Sequence, residues 1–188
     1  MPDLLTVHAV NHPDKPAVID DRGHGSIRTA TYAELEARSN RVAHVLVDLG
    51  VGAGDKIVWC GQNSSGVVEI VNASRKIGST AVPLNYRLSD DEAVYVTDHS
   101  DAKLVYVDAE YAPLFERIRA DLPQVEHVLV FDSAGRQVPE GMSACDPLVE
   151  AASSEPLPEI PDVTTGGATM TRSRLTPCSR STARRSSA

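Results

Sequence analysis

The stretch that decides the fold spans residues 31–64 and reads TYAELEARSNRVAHVLVDLGVGAGDKIVWCGQNS. It opens with Thr31 and Glu34, which have the spacing of a capping box, where each side chain accepts a hydrogen bond from the other residue's backbone N–H. Apolar residues then recur at helical spacing as far as Gly50, a residue type that often ends helices. The short apolar run KIVWC follows. The stretch therefore predicts one helix and then one buried strand.

The same alternation of short strands and helices continues on both sides of this stretch. A second capping box, Ser89 with Glu92, opens a helix, and Pro113 is expected to distort the next one. Strands separated by single helices favour a parallel sheet, because a parallel pair needs a crossover of about a dozen residues. The predicted fold is therefore α/β, a partial doubly wound parallel sheet with flanking helices. The other predicted elements are a hairpin (16–20 and 27–32, around a glycine-rich turn), helices 64–77 and 110–122, and strands 79–84, 103–108 and 125–132.

The chain is expected to divide into three parts. Residues 1–154 form the folded part, which loosens after residue 132, residues 155–170 form a Pro/Gly linker, and residues 171–188 form a basic Ser/Thr/Arg tail that is predicted to be disordered. All 26 acidic residues precede Val163, whereas five of the 18 Lys and Arg residues lie in 164–188. The acidic body would repel nucleic acid, so any nucleic-acid binding would have to act through the tail. No aromatic residues interleave the tail arginines and no helical or zinc motif presents them, so a regulatory nucleic-acid binder is the least favoured function.

Composition also predicts a cytoplasmic protein without structural metal. The cysteines, Cys60, Cys145 and Cys178, are far apart, and they form neither a C-x-x-C pair nor a zinc-type spacing with histidine. The N-terminus lacks the pattern of a signal peptide, and no run of 18 apolar residues predicts a membrane span. With 188 residues the chain is long enough to bury a core without disulfides.

Two collinear stretches carry a family resemblance. The first is residues 31–64, and the second is RKIGSTAVPLNYRLSDDEAVYVTDHSDAKLVYVD, residues 75–108. In order and spacing they resemble the N-terminal part of the adenylate-forming (AMP-binding) superfamily, in its acyl-CoA synthetase or fatty-acid–CoA ligase branch. The resemblance covers about residues 4–132. It implies ATP-dependent adenylation of a carboxylic acid followed by thioester formation with CoA, with ATP, Mg²⁺ and CoA as the family's cofactors.

The resemblance also implies a Gly-rich phosphate loop that ends in Pro-Lys-Gly and begins soon after TTGGATM. The pattern is instead lost near Met170, and a change of reading frame in G+C-rich DNA is the hypothesis for the acid-free run that follows. No catalytic, cofactor-binding or metal-binding residue is therefore assigned, and no cofactor is expected for the chain alone. The leading hypothesis is a truncated fatty-acid–CoA ligase, inactive by itself. The alternative is a non-catalytic interaction module that completes the enzyme with a separately encoded remainder.

Several residues that could suggest chemistry have a structural interpretation instead. The segment TTGGAT lacks a lysine and is interpreted as linker. His44 and His99 have no ligand partner at metal spacing, so they are expected to be exposed or hydrogen-bonded. Three acids in one helical turn complement a helix N-terminus, which explains residues 90–92 without a metal. Trp59 and Cys60 are predicted to be core, and four family-pattern residues are assigned to turns and packing: Lys76, Pro83, Asn85 and Arg87.

Overall fold

The computed structural model describes residues 3–21 and 27–158. Seven strands and six α-helices follow one another in this part of the chain. The helices are α1 (Leu4–Asn11), α2 (Tyr32–Asp48), α3 (Ser65–Lys76), α4 (Asp90–His99), α5 (Ala112–Ile118) and α6 (Cys145–Ala151). The strands are β1 (Pro16–Asp20), β2 (Arg28–Thr31), β3 (Lys56–Cys60), β4 (Thr80–Leu84), β5 (Ala102–Asp108), β6 (His127–Phe131) and β7 (Ser143–Ala144).

Five strands form one parallel sheet in the order β4-β3-β5-β6-β7. The chain moves from β3 outward to β4, and then crosses back over β3 to place β5 on its other side. Strand order reverses at this point, which is where parallel α/β sheets open a crevice at the carboxyl ends of their strands. β1 and β2 form a separate antiparallel hairpin, in which Val18 lies opposite Ala30 and Ile19 opposite Thr29.

The two faces of the parallel sheet carry separate apolar cores. Alternate strand residues point to opposite faces, so Val105 and Val107 belong to one core, and Leu104 and Tyr106 belong to the other. The first core is covered by α4 and α5, and the second by α2, α3 and α6. Helices on both faces make the sheet doubly wound, and the predicted fold class is confirmed.

Local sequence signals fix where the helices begin and end. Both predicted capping boxes are present: Thr31 with Glu34 opens α2, and Ser89 with Glu92 opens α4. Gly50, after α2, has a φ of 77°, a left-handed value that glycine adopts without the strain a Cβ would add. The two strands of the predicted hairpin are also present, whereas residues 22–26 of its turn lie outside the described residues.

Three local predictions are wrong. The segment after residue 132 does not simply loosen, since it forms β7 and α6. α5 begins at Ala112 and places Pro113 in its first turn, where a missing N–H costs little, so the proline starts the helix and does not distort it. Trp59 is only half-buried, while its neighbour Cys60 is fully buried as predicted. The sequence reasoning also missed α1, whose N-cap residue makes no side-chain capping bond.

α1 is attached to the rest of the fold by a nearly buried ion-pair cluster. Lys76 Nζ lies 2.8 and 2.9 Å from the two carboxylate oxygens of Glu36 and 3.6 Å from Asp3 Oδ2. The hydroxyl of Thr6 donates a 2.8 Å hydrogen bond to Glu36 Oε1. The cluster thus joins α1, α2 and α3. Lys76 belongs to helix packing, as predicted, but it acts through charge.

The other residues with structural interpretations are placed as follows. His44 Nε2 lies 2.9 Å from the carbonyl oxygen of Glu155, and the ring of His99 stacks on Tyr95. Asn85 Oδ1 accepts a hydrogen bond from the backbone N–H of Arg87, which makes a tight turn. Pro83 lies in β4, the edge strand of the sheet. Across the residues that the structure describes, no helix has the length and apolar character needed to cross a membrane.

Candidate functional site

A cavity of about 690 Å³ lies at the carboxyl edge of the parallel sheet, and we call it the edge cavity. Its walls come from the hairpin, α2, α3, α6 and the loop between β6 and β7. Ligand sites of α/β proteins occur preferentially at this edge. The charged residues in its walls are three arginines and four acids, namely Arg28, Arg38, Arg136, Glu69, Asp132, Asp146 and Glu150.

Arg38 organises the floor of the edge cavity. Its Nε donates to Glu69 Oε2 on α3, and its Nη2 donates to Asp146 Oδ1 on α6, both over 2.9 Å. The other carboxylate oxygen of Asp146 accepts from the backbone N–H of Ser133 at 3.3 Å. One guanidinium from α2 therefore connects two further helices, and both of its bonds end on carboxylates within the chain.

The pKa values in this network reflect burial first and charge second. Burial raises the pKa of Glu69, and the attraction of Arg38 offsets only part of that rise. Burial acts to lower the pKa of Arg38, but the charges of Glu69 and Asp146 outweigh it, and the net shift is upward. The guanidinium therefore stays charged and paired. Its charge is largely neutralised before any ligand arrives.

Two cysteine thiols near the sheet are potential nucleophiles, but both are unreactive at neutral pH. Burial raises the pKa of Cys145 to about 12, helped by the charge of Asp146, and burial together with Asp108 raises the pKa of Cys60 to about 12. A thiol with such a pKa holds almost no thiolate at neutral pH, and the thiolate is the nucleophile. Tyr106 is likewise kept protonated, because burial raises its pKa well above the ordinary value.

The turn from β3 into α3 is the second place where phosphate would be expected, because helix N-termini present free N–H groups. Here the N-cap residue Ser64 makes no side-chain capping bond. The carboxylate of Asp20, from the hairpin, takes that place: its Oδ2 accepts from the backbone N–H of Ser65 at 2.9 Å and from its hydroxyl at 3.2 Å. A phosphate at this helix end would face a negative charge.

A polar and aromatic cluster lies at the crevice where strand order reverses. Gln62 Nε2 donates to the hydroxyl of Tyr111 at 3.0 Å and to Glu110 Oε2 at 3.3 Å. The rings of Tyr86 and Tyr111 are 4.7 Å apart, and the guanidinium of Arg87 lies over Tyr86. Sequence reasoning missed this cluster because its members follow three different strands, and only the strand order brings them together.

The described residues do not suit the group that the resemblance implies. ATP with Mg²⁺ needs surplus cations or free N–H donors for its phosphates and carboxylates for the metal. The arginine at the floor of the edge cavity is paired with acids, and Asp20 occupies the N-terminus of α3. Residues 3–21 and 27–158 also contain no group of three or more His, Cys, Asp or Glu side chains placed to hold a metal ion. The acids at 90–92 lie in the first turn of α4, where Asp90 pairs with Arg117.

Comparison with known proteins identifies the family. The sequence profile of the AMP-binding enzyme family matches residues 5–170. The chain belongs to this family. Among curated relatives, it is 33% identical over 117 residues to a fatty acid–[acyl-carrier-protein] ligase, ScoC, of Streptomyces coeruleorubidus, covering 62% of this chain and 22% of the relative. It is 35% identical over 120 residues to a long-chain-fatty-acid–CoA ligase of Thermus thermophilus, covering 64% of this chain and 22% of the relative.

Solved structures of this family share the fold. A fatty acyl-CoA synthetase of Mycobacterium tuberculosis superposes with a TM-score of 0.70 at 27% identity, covering 87% of this chain and 30% of that protein. The N-terminal domain of FACL13 from the same organism gives a TM-score of 0.71 at 26% identity, covering 84% of this chain and 36% of that domain. The resemblance to the acyl-CoA synthetase branch is confirmed. The chain spans about a fifth of the length of the curated relatives named above.

Proposed function

We propose that this chain is the first part of a fatty-acid–CoA ligase and does not adenylate an acid by itself. The family reaction would require ATP, Mg²⁺ and CoA, and the chain alone would bind none of them in a productive way. The observation that carries the proposal is the occupation of the anion-suited positions by the chain's own acids. Asp20 caps α3, and Glu69 and Asp146 neutralise Arg38.

The sequence after Met170 supports the same proposal. It contains neither a dense glycine loop nor a Pro-Lys-Gly ending, and it carries no acid. We attribute this run to a change of reading frame. Translating the gene in all frames beyond the Met170 codon tests that attribution: one frame should restore a Gly-rich loop, and its absence from every frame would exclude a frameshift.

An ATP–pyrophosphate exchange assay tests the inactivity. The purified chain is incubated with Mg²⁺, ATP, labelled pyrophosphate and a mixture of short, medium and long fatty acids, beside the full-length Thermus thermophilus relative as positive control. Exchange by the chain should equal the protein-free blank. Saturable exchange that depends on a fatty acid would contradict the proposal.

The second candidate function is an interaction module that supplies this part of the domain to a separately encoded remainder. Coverage favours it, because the chain spans only 36% of a solved N-terminal domain of the family. Most of one packed domain therefore lies outside the matched region. Co-expression with such a remainder should restore pyrophosphate exchange if the candidate is correct.

The proposal also covers the cellular location of the protein and the limits of the parts of its chain. A cytoplasmic location fits Cys60 and Cys145, which are free and buried. Cell fractionation tests it. The division into a folded part at 1–154, a linker at 155–170 and a basic tail at 171–188 is tested by limited trypsin digestion, which should remove the tail arginines first.

A further inference from the structure

Two exposed histidines lie one helical turn apart at the C-terminal end of α1. His8 belongs to the last turn of the helix, and His12 is its C-cap residue. The backbone N–H of His12 donates to the carbonyl oxygen of His8 at 2.8 Å, so the four-residue repeat of the helix extends through His12. Both residues are exposed. We call them the α1 histidine pair.

The spacing of the pair suits a single metal ion. Residues four positions apart lie one above the other on the same face of a helix. The zinc-binding helix motif H-E-x-x-H places its two histidine ligands at this separation. The stretch in this chain reads HAVNH, residues 8–12, so both ligand positions are histidine and Ala9 stands where that motif has glutamate.

The two imidazole rings are also near enough to share an ion. Their centroids are 6.4 Å apart. Nitrogen ligands lie about 2.0–2.1 Å from Zn²⁺, so two nitrogens bound to one ion are at most about 4 Å apart. Each nitrogen lies at the edge of its ring, and exposed side chains change rotamer freely. Rotation of the side chains therefore brings the nitrogens together without a change in the backbone.

The ring nitrogens of the pair are not engaged elsewhere. Within the described part of the chain, neither imidazole takes part in a hydrogen bond or an ion pair. The ring of His8 lies 5.2 Å from that of Tyr32, but a contact between rings uses no nitrogen lone pair. His44 differs, because its Nε2 lies 2.9 Å from the carbonyl oxygen of Glu155. The pair thus offers its lone pairs to an external ligand.

We infer that the α1 histidine pair is a surface binding site for a divalent transition-metal ion, such as Ni²⁺, Cu²⁺ or Zn²⁺, all of which imidazole binds well. No third His, Cys, Asp or Glu side chain joins the pair among the described residues, so water would complete the coordination. Ala9 supplies no general base, so the site binds an ion and does not catalyse a reaction.

A bound ion would act on the stability of α1. The helix has only eight residues, and its N-cap residue makes no side-chain capping bond. Helices this short are marginal unless other contacts support them. An ion that bridges residues 8 and 12 favours the helical spacing, because the unfolded chain does not hold the two imidazoles together.

Isothermal titration with NiCl₂ at pH 7.5 tests the inference on the full, untagged chain after treatment with a chelator. The tightest binding event of wild type should have a stoichiometry of one ion per chain. His8→Gln and His12→Gln should each weaken that event at least about tenfold, because the second imidazole binds the ion intramolecularly.

The matched control is His99→Gln. His99 also lies in the last turn of a helix, and its ring stacks on Tyr95, four positions before it. It has the same spacing and a ring contact but no second imidazole. The variant should therefore keep the dissociation constant within about twofold of wild type.

Thermal melts give a second readout. NiCl₂ should raise the melting temperature of wild type and of His99→Gln, because the ion binds the native state, and it should not raise that of His8→Gln or His12→Gln. Melts without metal establish that each variant retains the fold.

Three results would overturn the inference. They are no binding of Ni²⁺ by wild type, equal affinity of wild type and both variants of the pair, and binding of one ion by two chains. The last would appear in analytical ultracentrifugation as a Ni²⁺-dependent dimer that His8→Gln abolishes, and it would place the ion between copies of the chain.

Discussion

Removing the charge of Lys76 from the ion-pair cluster that attaches α1 should destabilise the protein by about 3 kcal/mol. Lys76→Met keeps the length of the side chain but removes the charge. The side chains of Lys76 and Glu36 are only 9% and 12% exposed, and their charged atoms are 2.8 Å apart. Losing one partner of such a pair leaves the other charge nearly buried without compensation, which costs about 3–5 kcal/mol. The Thr6 hydroxyl still donates to Glu36, and this bond favours the lower end of that range.

The assay is urea unfolding followed by far-UV circular dichroism at pH 7. Urea unfolding gives the free energy of unfolding directly. In a thermal melt of a chain of this size, the same loss of about 3 kcal/mol would appear as a fall in melting temperature of roughly 6–12 °C. Arg75→Met is the matched control, because Arg75 is the neighbouring residue and lies 3.8 Å from Asp3, with its side chain 36% exposed. Its cost should remain below about 1 kcal/mol.

A double variant separates the ion pair from simple packing. Glu36→Leu/Lys76→Met removes both charges, so it should cost less than the sum of the two single changes. If Lys76→Met destabilised the protein no more than Arg75→Met, the cluster would contribute no more than an exposed pair. The reasoning from burial would then be wrong.

Three further outcomes are expected. Gly66→Ala should lose about 1–3 kcal/mol, measured by urea unfolding, because an added Cβ would lie 2.7 Å from two ring carbons of Phe131. Since burial raises the pKa of Glu69 above 4.5, the native state holds that proton more tightly than the unfolded state. Wild type should therefore lose stability relative to Glu69→Gln as pH rises from 4.5 toward and through the raised pKa. Iodoacetamide at pH 8 should modify Cys60 and Cys145 only after unfolding, as read by peptide mass spectrometry, because both pKa values are about 12.

Matched controls distinguish these outcomes from general effects. Gly52→Ala adds the same methyl group where no atom lies within 4 Å, so it should be close to neutral. If the stability of Glu69→Gln changed with pH in parallel with that of wild type, Glu69 would not be the cause of the pH dependence. Alkylation of either buried thiol in the native protein at the rate of the urea-unfolded chain would contradict its assigned pKa.

Most of the parallel sheet could be predicted because its signals are local. Capping boxes, glycine stops and apolar strand runs each occupy a few consecutive residues, and both capping boxes proved correct. The missed elements lack such signals: β7 has only two residues, and neither α1 nor α6 has a side-chain cap. A strand that short carries no periodicity, so sequence patterns could not reveal it.

The site was less predictable because it depends on pairs that are distant along the chain. Asp20 lies 45 residues before Ser65, and Arg38 lies 108 residues before Asp146. No spacing rule joins residues so far apart. The sequence did contain the family pattern, and the structure then showed which charged side chains are already paired within the chain.

The proline in β4 limits how the parallel sheet can be extended. β4 is one edge of the sheet, and Pro83, the fourth of its five residues, has no N–H to offer an incoming strand. The opposite edge is β7, which is only two residues long. A strand added beside β4 would therefore meet an obstructed edge, and a strand added beside β7 could pair with only two residues. Copies of the chain that meet at high concentration have little opportunity to stack edge to edge into an open-ended fibre.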